Sequence, residues 1–107
     1  MIEKAPLLLP ALPGYAEVML AYHVAFYLPR GNERMVVTSV LDFPGVMSQG
    51  FDLTDARAMI ASALEDIAQL WIEEGRALPI PEPHAHDPEA DLVEILPLSV
   101  EVGAARR

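Results

Sequence analysis

"DFPGVMSQGFDLTDARA", Asp42 to Ala58, carries the backbone punctuation that decides the fold. Pro44 has no amide to donate and Gly45 tolerates positive φ, so an incoming strand is expected to stop at Phe43 and turn sharply. Val46 to Gln49 is long enough only for a short strand, and Gly50 is expected to break it. Asp52 then stands at an N-cap position, with its carboxylate placed to accept from the free amides of a first helical turn. Asp55, three residues on, is a shortened form of the Glu or Gln of a capping box.

Working downstream, Leu53, Ala56, Ile60, Ala63, Leu64, Ile67 and Trp71 recur at threes and fours, and Met59 and Leu70 widen the stripe. Arg57, Glu65, Glu73 and Arg76 take the opposite side, which predicts one long amphipathic helix. Gly75 is expected as its C′ residue, and Pro79, Pro81 and Pro83 forbid its continuation. After a proline- and acid-rich loop, "DLVEILPLSVEV" alternates as a final strand, with Pro97 pointing to an edge position or a bulge.

Upstream, Tyr15 to Leu28 is rich in β-branched and aromatic residues. Val18, Leu20, Tyr22, Val24 and Phe26 fall on one face of an extended chain, and Met19, Ala21, His23, Ala25 and Tyr27 on the other. Both faces are largely apolar, so this strand is expected to be covered on both sides. "PRGNE" is a natural hairpin turn, and Arg34 to Phe43 is the returning strand. The predicted order is β-β-β-α-β, one long helix on a four-stranded mixed sheet of an α/β domain. One helix covers one face; the N-terminal arm, a second copy or a partner is expected to cover the other.

The 107-residue chain fits a single domain. Residues 1–14 read as a proline-rich arm that packs on something, residues 15–102 as the domain and residues 103–107 as a flexible tail. There is no cysteine, hence no disulfide or thiolate metal site, and a cytoplasmic location is the simple expectation. "APLLLPALPG" is too short and too interrupted by proline for a membrane span or a secretory signal. The formal net charge of -9, from 16 acidic and 7 basic residues, opposes binding to a phosphate backbone. Glu82, Asp87, Glu89 and Asp91 lie in a stretch without Lys or Arg and are candidates for an acidic surface that meets a basic partner.

No catalytic group is expected. His84, His86 and Asp87 offer two imidazoles and a carboxylate, but in a proline-rich loop they read as ordinary surface residues, and no metal or other cofactor is assigned. His23 reads as a hydrogen-bonded core or interface residue rather than a base, with no nucleophile to complete a triad. Glu17, Asp42, Glu94 and Glu101 on strands, with Glu65 and Asp66 on the helix, are too scattered for a two-metal nuclease. Trp71 and Met59 read as core.

The hairpin followed by Asp42 to Pro81 resembles the N-terminal domain of HicB-type antitoxins and their stand-alone relatives. The likeness rests on Phe43, Pro44, Gly45 and Val46, on Gly50, on Asp52, Asp55 and Ala56, and on Leu78, Pro79, Ile80 and Pro81. It spans roughly Tyr15 to Val102. The resemblance implies a partial ribonuclease H-like fold, with three antiparallel strands and a fourth beside the first, and without nuclease activity. It also implies a non-catalytic, self-associating protein that binds a small basic HicA-type mRNA interferase. Family antitoxins commonly carry a C-terminal DNA-binding segment; only five residues follow Val102 here, so direct DNA binding is not expected. The alternative is a stand-alone homo-oligomer of unknown ligand.

Overall fold

A computed structural model describes residues 15–103. It contains β1 (Tyr15–Tyr27), β2 (Val36–Val40), β3 (Met47–Gly50), α1 (Leu53–Glu73) and β4 (Leu92–Gly103), in that order. The strands form one sheet in the order β3-β2-β1-β4, so the fourth strand does lie beside the first. The expected mixed sheet is corrected, because every neighbouring pair is antiparallel. The connection from α1 to β4 supplies the reason. Ile72 and Gly75, at the C-terminal end of α1, lie near Val18 and Leu20 of β1, whereas β4 begins opposite Phe26. The segment from Glu74 to Asp91 carries the chain back along β1, so β4 runs against it.

The hairpin turn forms at 29–33, with Gly31 at φ 61° and the Glu33 amide donating to the Arg30 carbonyl. β2 is shorter than the expected Arg34–Phe43, because its ladder ends at Val40, where the Val40 amide donates to the Val46 carbonyl and closes a tight turn. Gly45 takes φ 86° in that turn. Gly50 ends β3 rather than breaking it. A Cβ there would collide with the Ala56 amide and lie 2.7 Å from Ala56 Cα and 2.8 Å from Asp55 C, so glycine lets the first turn of α1 sit against the strand.

Both helix ends behave as the residues dictate. The Asp55 amide donates to Asp52 Oδ1 at 2.8 Å, and the Asp55 carboxylate accepts from the Phe51 amide, one residue earlier than a standard capping box. At the other end Gly75 takes φ 75°; its amide donates to Ile72, and that of Arg76 to Trp71, a Schellman closure. Ala56, Ile60, Leu64 and Ala68 are buried on Tyr22, Val24, Phe26, Val36 and Val40. Full burial of Ile60 or Leu64 is worth about 1.5–3 kcal/mol each. Trp71 packs on Phe43 at a centroid distance of 4.8 Å, and the Arg76 guanidinium stacks over its ring at 3.7 Å. Met59 and Leu70 do not join the core; both are exposed beside the buried stripe.

Pro97 lies on an edge strand, where the free outer side of β4 tolerates a residue without an amide hydrogen. Gly103, assigned to the tail from the sequence, is the last residue of β4. Residues 1–14, read as an arm, and the tail residues 104–107 lie outside the described residues. Among the described residues no helix is long and apolar enough to cross a membrane.

Candidate functional site: the sheet face away from the helix

The face opposite α1 is built from the residues of β1 that alternate with its core positions. Register places Met19, Ala21, His23, Ala25 and Tyr27 there, beside Ser99, Pro97, Ile95 and Val93 of β4, Val37 and Ser39 of β2, and Met47 and Gln49 of β3. Ala25 is fully buried although the helix lies on the other side. The chain's own proline-rich loop is tied down at four places, the first on the helix side of the sheet and the others at Asp42, Tyr27 and Leu28. Tyr22 Oη donates to the Pro79 carbonyl at 2.6 Å, and the Glu82 amide to Asp42 Oδ2 at 3.1 Å. Tyr27 Oη donates to Asp87 Oδ2 at 2.6 Å, and the Leu28 amide to Asp91 Oδ2 at 2.7 Å.

Asp42 is the hub of this arrangement. Its side chain is fully buried at the turn between β2 and β3; Oδ1 accepts from the His23 amide at 2.8 Å, and Oδ2 lies 2.8 Å from His23 Nδ1. Counting Glu82, three donors converge on one carboxyl group, which satisfies it inside the fold. His23 is therefore a hydrogen-bonded structural residue, as its apolar strand suggested. Among the described residues no hydroxyl or thiol is hydrogen-bonded to its ring.

The four acids expected to face a partner divide in two. Asp87 and Asp91 hold the loop: burial and the Asp87 contact push the Tyr27 phenol up to about 12, and Tyr27's hydrogen bond holds the Asp87 carboxyl below its ordinary value. Asp91 also pairs with Arg30 at 2.8 Å. Glu82 and Glu89 are exposed, and their side chains have no hydrogen-bond or ion-pair partner among the described residues. His84 and His86 are exposed in the same loop, with His86 Nδ1 3.2 Å from the His84 carbonyl oxygen.

The carboxylates weighed for two-metal chemistry are not brought together. Glu94 is bidentate to Arg57 at 3.0 and 2.7 Å, joining β4 to α1, and the pairing holds its carboxyl low. Glu17 accepts from Ser99 Oγ, Asp42 is enclosed as described, and Glu65, Asp66 and Glu101 are exposed. Among the described residues no three of His, Asp and Glu form a group that could hold a metal ion.

Much of what stays bare on this face is apolar, with Gln49 and Ser99 exposed among it. Met47 is 63% exposed and Val37 36% on one flank; Met19 is 64%, Ile95 56% and Val93 38% on the other. Phe51 and Ile80 are more exposed still, at 81% and 85%. The sequence marked an apolar second face, but not the loop anchored beside it through Asp42 and Tyr27. The recurrence of proline and acid from Pro79 to Asp91 was the only available signal, and it does not specify the anchors. Comparison with protein-family models, with curated proteins and with solved structures finds no match to this chain.

Proposed function

We propose that this chain is a non-catalytic binding protein of antitoxin type, which neutralises a small basic HicA-type mRNA interferase by direct contact. Its fold is read as a partial ribonuclease H-like one, in keeping with the strand order and the single helix. The observation that carries the proposal is the bare apolar surface on either side of the acidic loop. Met19, Met47, Ile95 and Phe51 are largely exposed, while Glu82 and Glu89 add negative charge to a chain of net charge -9. Apolar flanks beside an acidic loop suit a basic partner, because apolar contact supplies affinity and charge speeds encounter. Pro44, Gly45, Gly50, Asp52, Pro79 and Pro81 shape the scaffold in this view, and none touches the partner's chemistry.

The test is calorimetric titration of the purified chain against the short basic protein encoded beside its gene, with an RNA-cleavage assay in parallel. The expected result is a stoichiometric complex whose affinity falls with salt and whose formation stops cleavage. Absence of such a gene, or undiminished cleavage with saturating chain, overturns the proposal.

The same surface favours a second reading, a stand-alone homo-oligomer. Met47 and Ile95 stand on opposite flanks of one exposed face, so a twofold pairing of that face can set Met47 of one copy against Ile95 of the other. Sedimentation equilibrium decides it: association that disappears in Ile95→Glu supports it, and a monomer at micromolar concentration removes it.

A further inference from the structure

We propose that the free edge of β3 is a strand-acceptor site, which takes an extended basic segment of a partner protein as a fifth strand beside the flank of α1. The inference deepens the binding reading above and rests on it for the existence of a protein partner. The two edges of the sheet differ. On the β4 edge Pro97 removes a donor from the middle of the strand, whereas no proline interrupts Met47–Gly50. The Val40 amide donates to the Val46 carbonyl, so the even-numbered residues of β3 turn their backbone groups toward β2. The amides and carbonyls of Met47 and Gln49 therefore point outward, and among the described residues nothing pairs with them. The next outward amide, that of Phe51, is closed by Asp55, which bounds the open stretch.

α1 borders this edge. It sits chiefly over β3, with Ala56 against Gly50 and Trp71 against Phe43, so the helix runs back along the strand. Its flank bearing Arg57, Glu65 and Ile72 faces β4, through the Arg57 pair with Glu94 and a hollow that Glu65 and Ile72 share with Leu98. Met59, Asp66 and Leu70 stand on the other flank, beside the last strand. Met59 and Leu70 are each 46% exposed, and exposed Asp66 has no hydrogen-bond or ion-pair partner among the described residues. Leu70 and Asp66 lie about 6 Å apart along the helix axis, close to the ~6.7 Å between alternate residues of a strand. An added strand with an apolar residue, and a basic one two positions on, matches them while its backbone bonds Met47 and Gln49. Charge selects the occupant. Arg30 is paired with Asp91, Arg57 with Glu94, and Arg76 stacks on Trp71; Arg34 stands before β2, inside the edge. No described cation therefore answers Asp66 on this flank, and a second copy paired about Ser48 would bring the same acid toward it.

The probe is the peptide Thr-Val-Thr-Lys-Thr-Val-Thr, which sets Val, Lys and Val on one face, with the same peptide carrying Glu in place of Lys as control. Each is titrated into the full chain and followed by methyl and amide NMR. The expected result is saturable binding of the lysine peptide, with shifts at the Met59 and Leu70 methyl groups and none at Val93 and Ile95. Exchange of the Met47 and Gln49 amides should slow about tenfold at about nine-tenths occupancy, because only the free fraction exchanges. Asp66→Lys should reverse the preference between the peptides, shifting each affinity about fivefold. Gln49→Pro removes an outward donor and no ladder bond, and should weaken the lysine peptide about tenfold with α1 amide exchange unchanged. If that variant loses its fold, the Asp66→Lys reversal decides alone. No saturable binding, no protection at Met47 and Gln49, or equal affinity for the two peptides overturns the proposal. Protection of those amides that rises with the concentration of the chain alone assigns the edge to a second copy and overturns it too. The peptide is not the basic protein encoded beside the gene, so this contact and the reading it rests on fail separately.

Discussion

Asp42→Ala tests the central structural claim, that one buried carboxyl group latches the loop across the sheet. The substitution leaves the His23 amide, the Glu82 amide and the His23 ring without their acceptor. A buried donor left unpaired costs about 1–3 kcal/mol. The His23 side chain retains 14% exposure, so water recovers part of its share, and the low end of the range applies to each donor. The summed loss is about 3 kcal/mol, a large part of the ~5–15 kcal/mol that holds a small domain together. With a urea m-value of roughly 1–1.5 kcal/mol/M, the unfolding midpoint falls by about 2–3 M. Hydrogen exchange gives a second readout, because the Glu82 amide should exchange far faster under native conditions while core amides of α1 follow the global loss alone. Asp42→Asn keeps Oδ1 for the His23 amide but puts an amide group where Glu82 donates, and it should release the loop with a smaller global loss. A midpoint shift below about 0.5 M, or unchanged Glu82 exchange in the alanine variant, refutes the latch.

Three further outcomes follow from the same geometry. Gly50→Ala drives a methyl group into the backbone of Asp55 and Ala56, which cannot swing aside, and should cost about 3 kcal/mol in denaturant unfolding; a loss under ~1 kcal/mol means the strand and helix are not in close contact. Thr38→Val should stabilise by about 1 kcal/mol, because Thr38 Oγ1 is buried with no hydrogen-bond partner among the described residues; a destabilised variant would reveal a partner for it. Burial, and next the Asp42 charge, push Tyr22 up to about 12, and Tyr27 reaches about 12 through burial and Asp87. A raised folded pKa favours the neutral phenol, so this stability is intact below pH 10 and is lost as pH climbs from about 10 to 12. Phenolate absorbance should show both tyrosines ionising together with loss of the loop, whereas titration near 10 in the folded protein contradicts their burial.

Residue type and spacing alone account for the parts whose signals lie within a few residues of one another. Asp52 and Asp55 set the start of α1, Gly75 its end, Gly31 and Gly45 the two turns, and the spacing of Ala56, Ile60 and Leu64 most of its buried stripe, which Ala68 completes. Each depends on local sterics or on donors and acceptors within one turn of chain, so residue type and spacing suffice. Met59 and Leu70 marked the limit, since periodicity gives the direction of a side chain but not how far the opposing layer extends. Only the tertiary structure decided the antiparallel course of β4, the joining of His23 to Asp42 and the path of the loop. Those contacts link residues from 19 positions apart, for His23 and Asp42, to 88, for Tyr15 and Gly103, and their partners are chosen by where the whole chain has already been led. Asp42 looked like one scattered acid among several in the sequence. Burial beside two backbone amides and an imidazole makes it the latch, because a carboxyl group removed from water must find donors and these three were the ones the fold brought within reach.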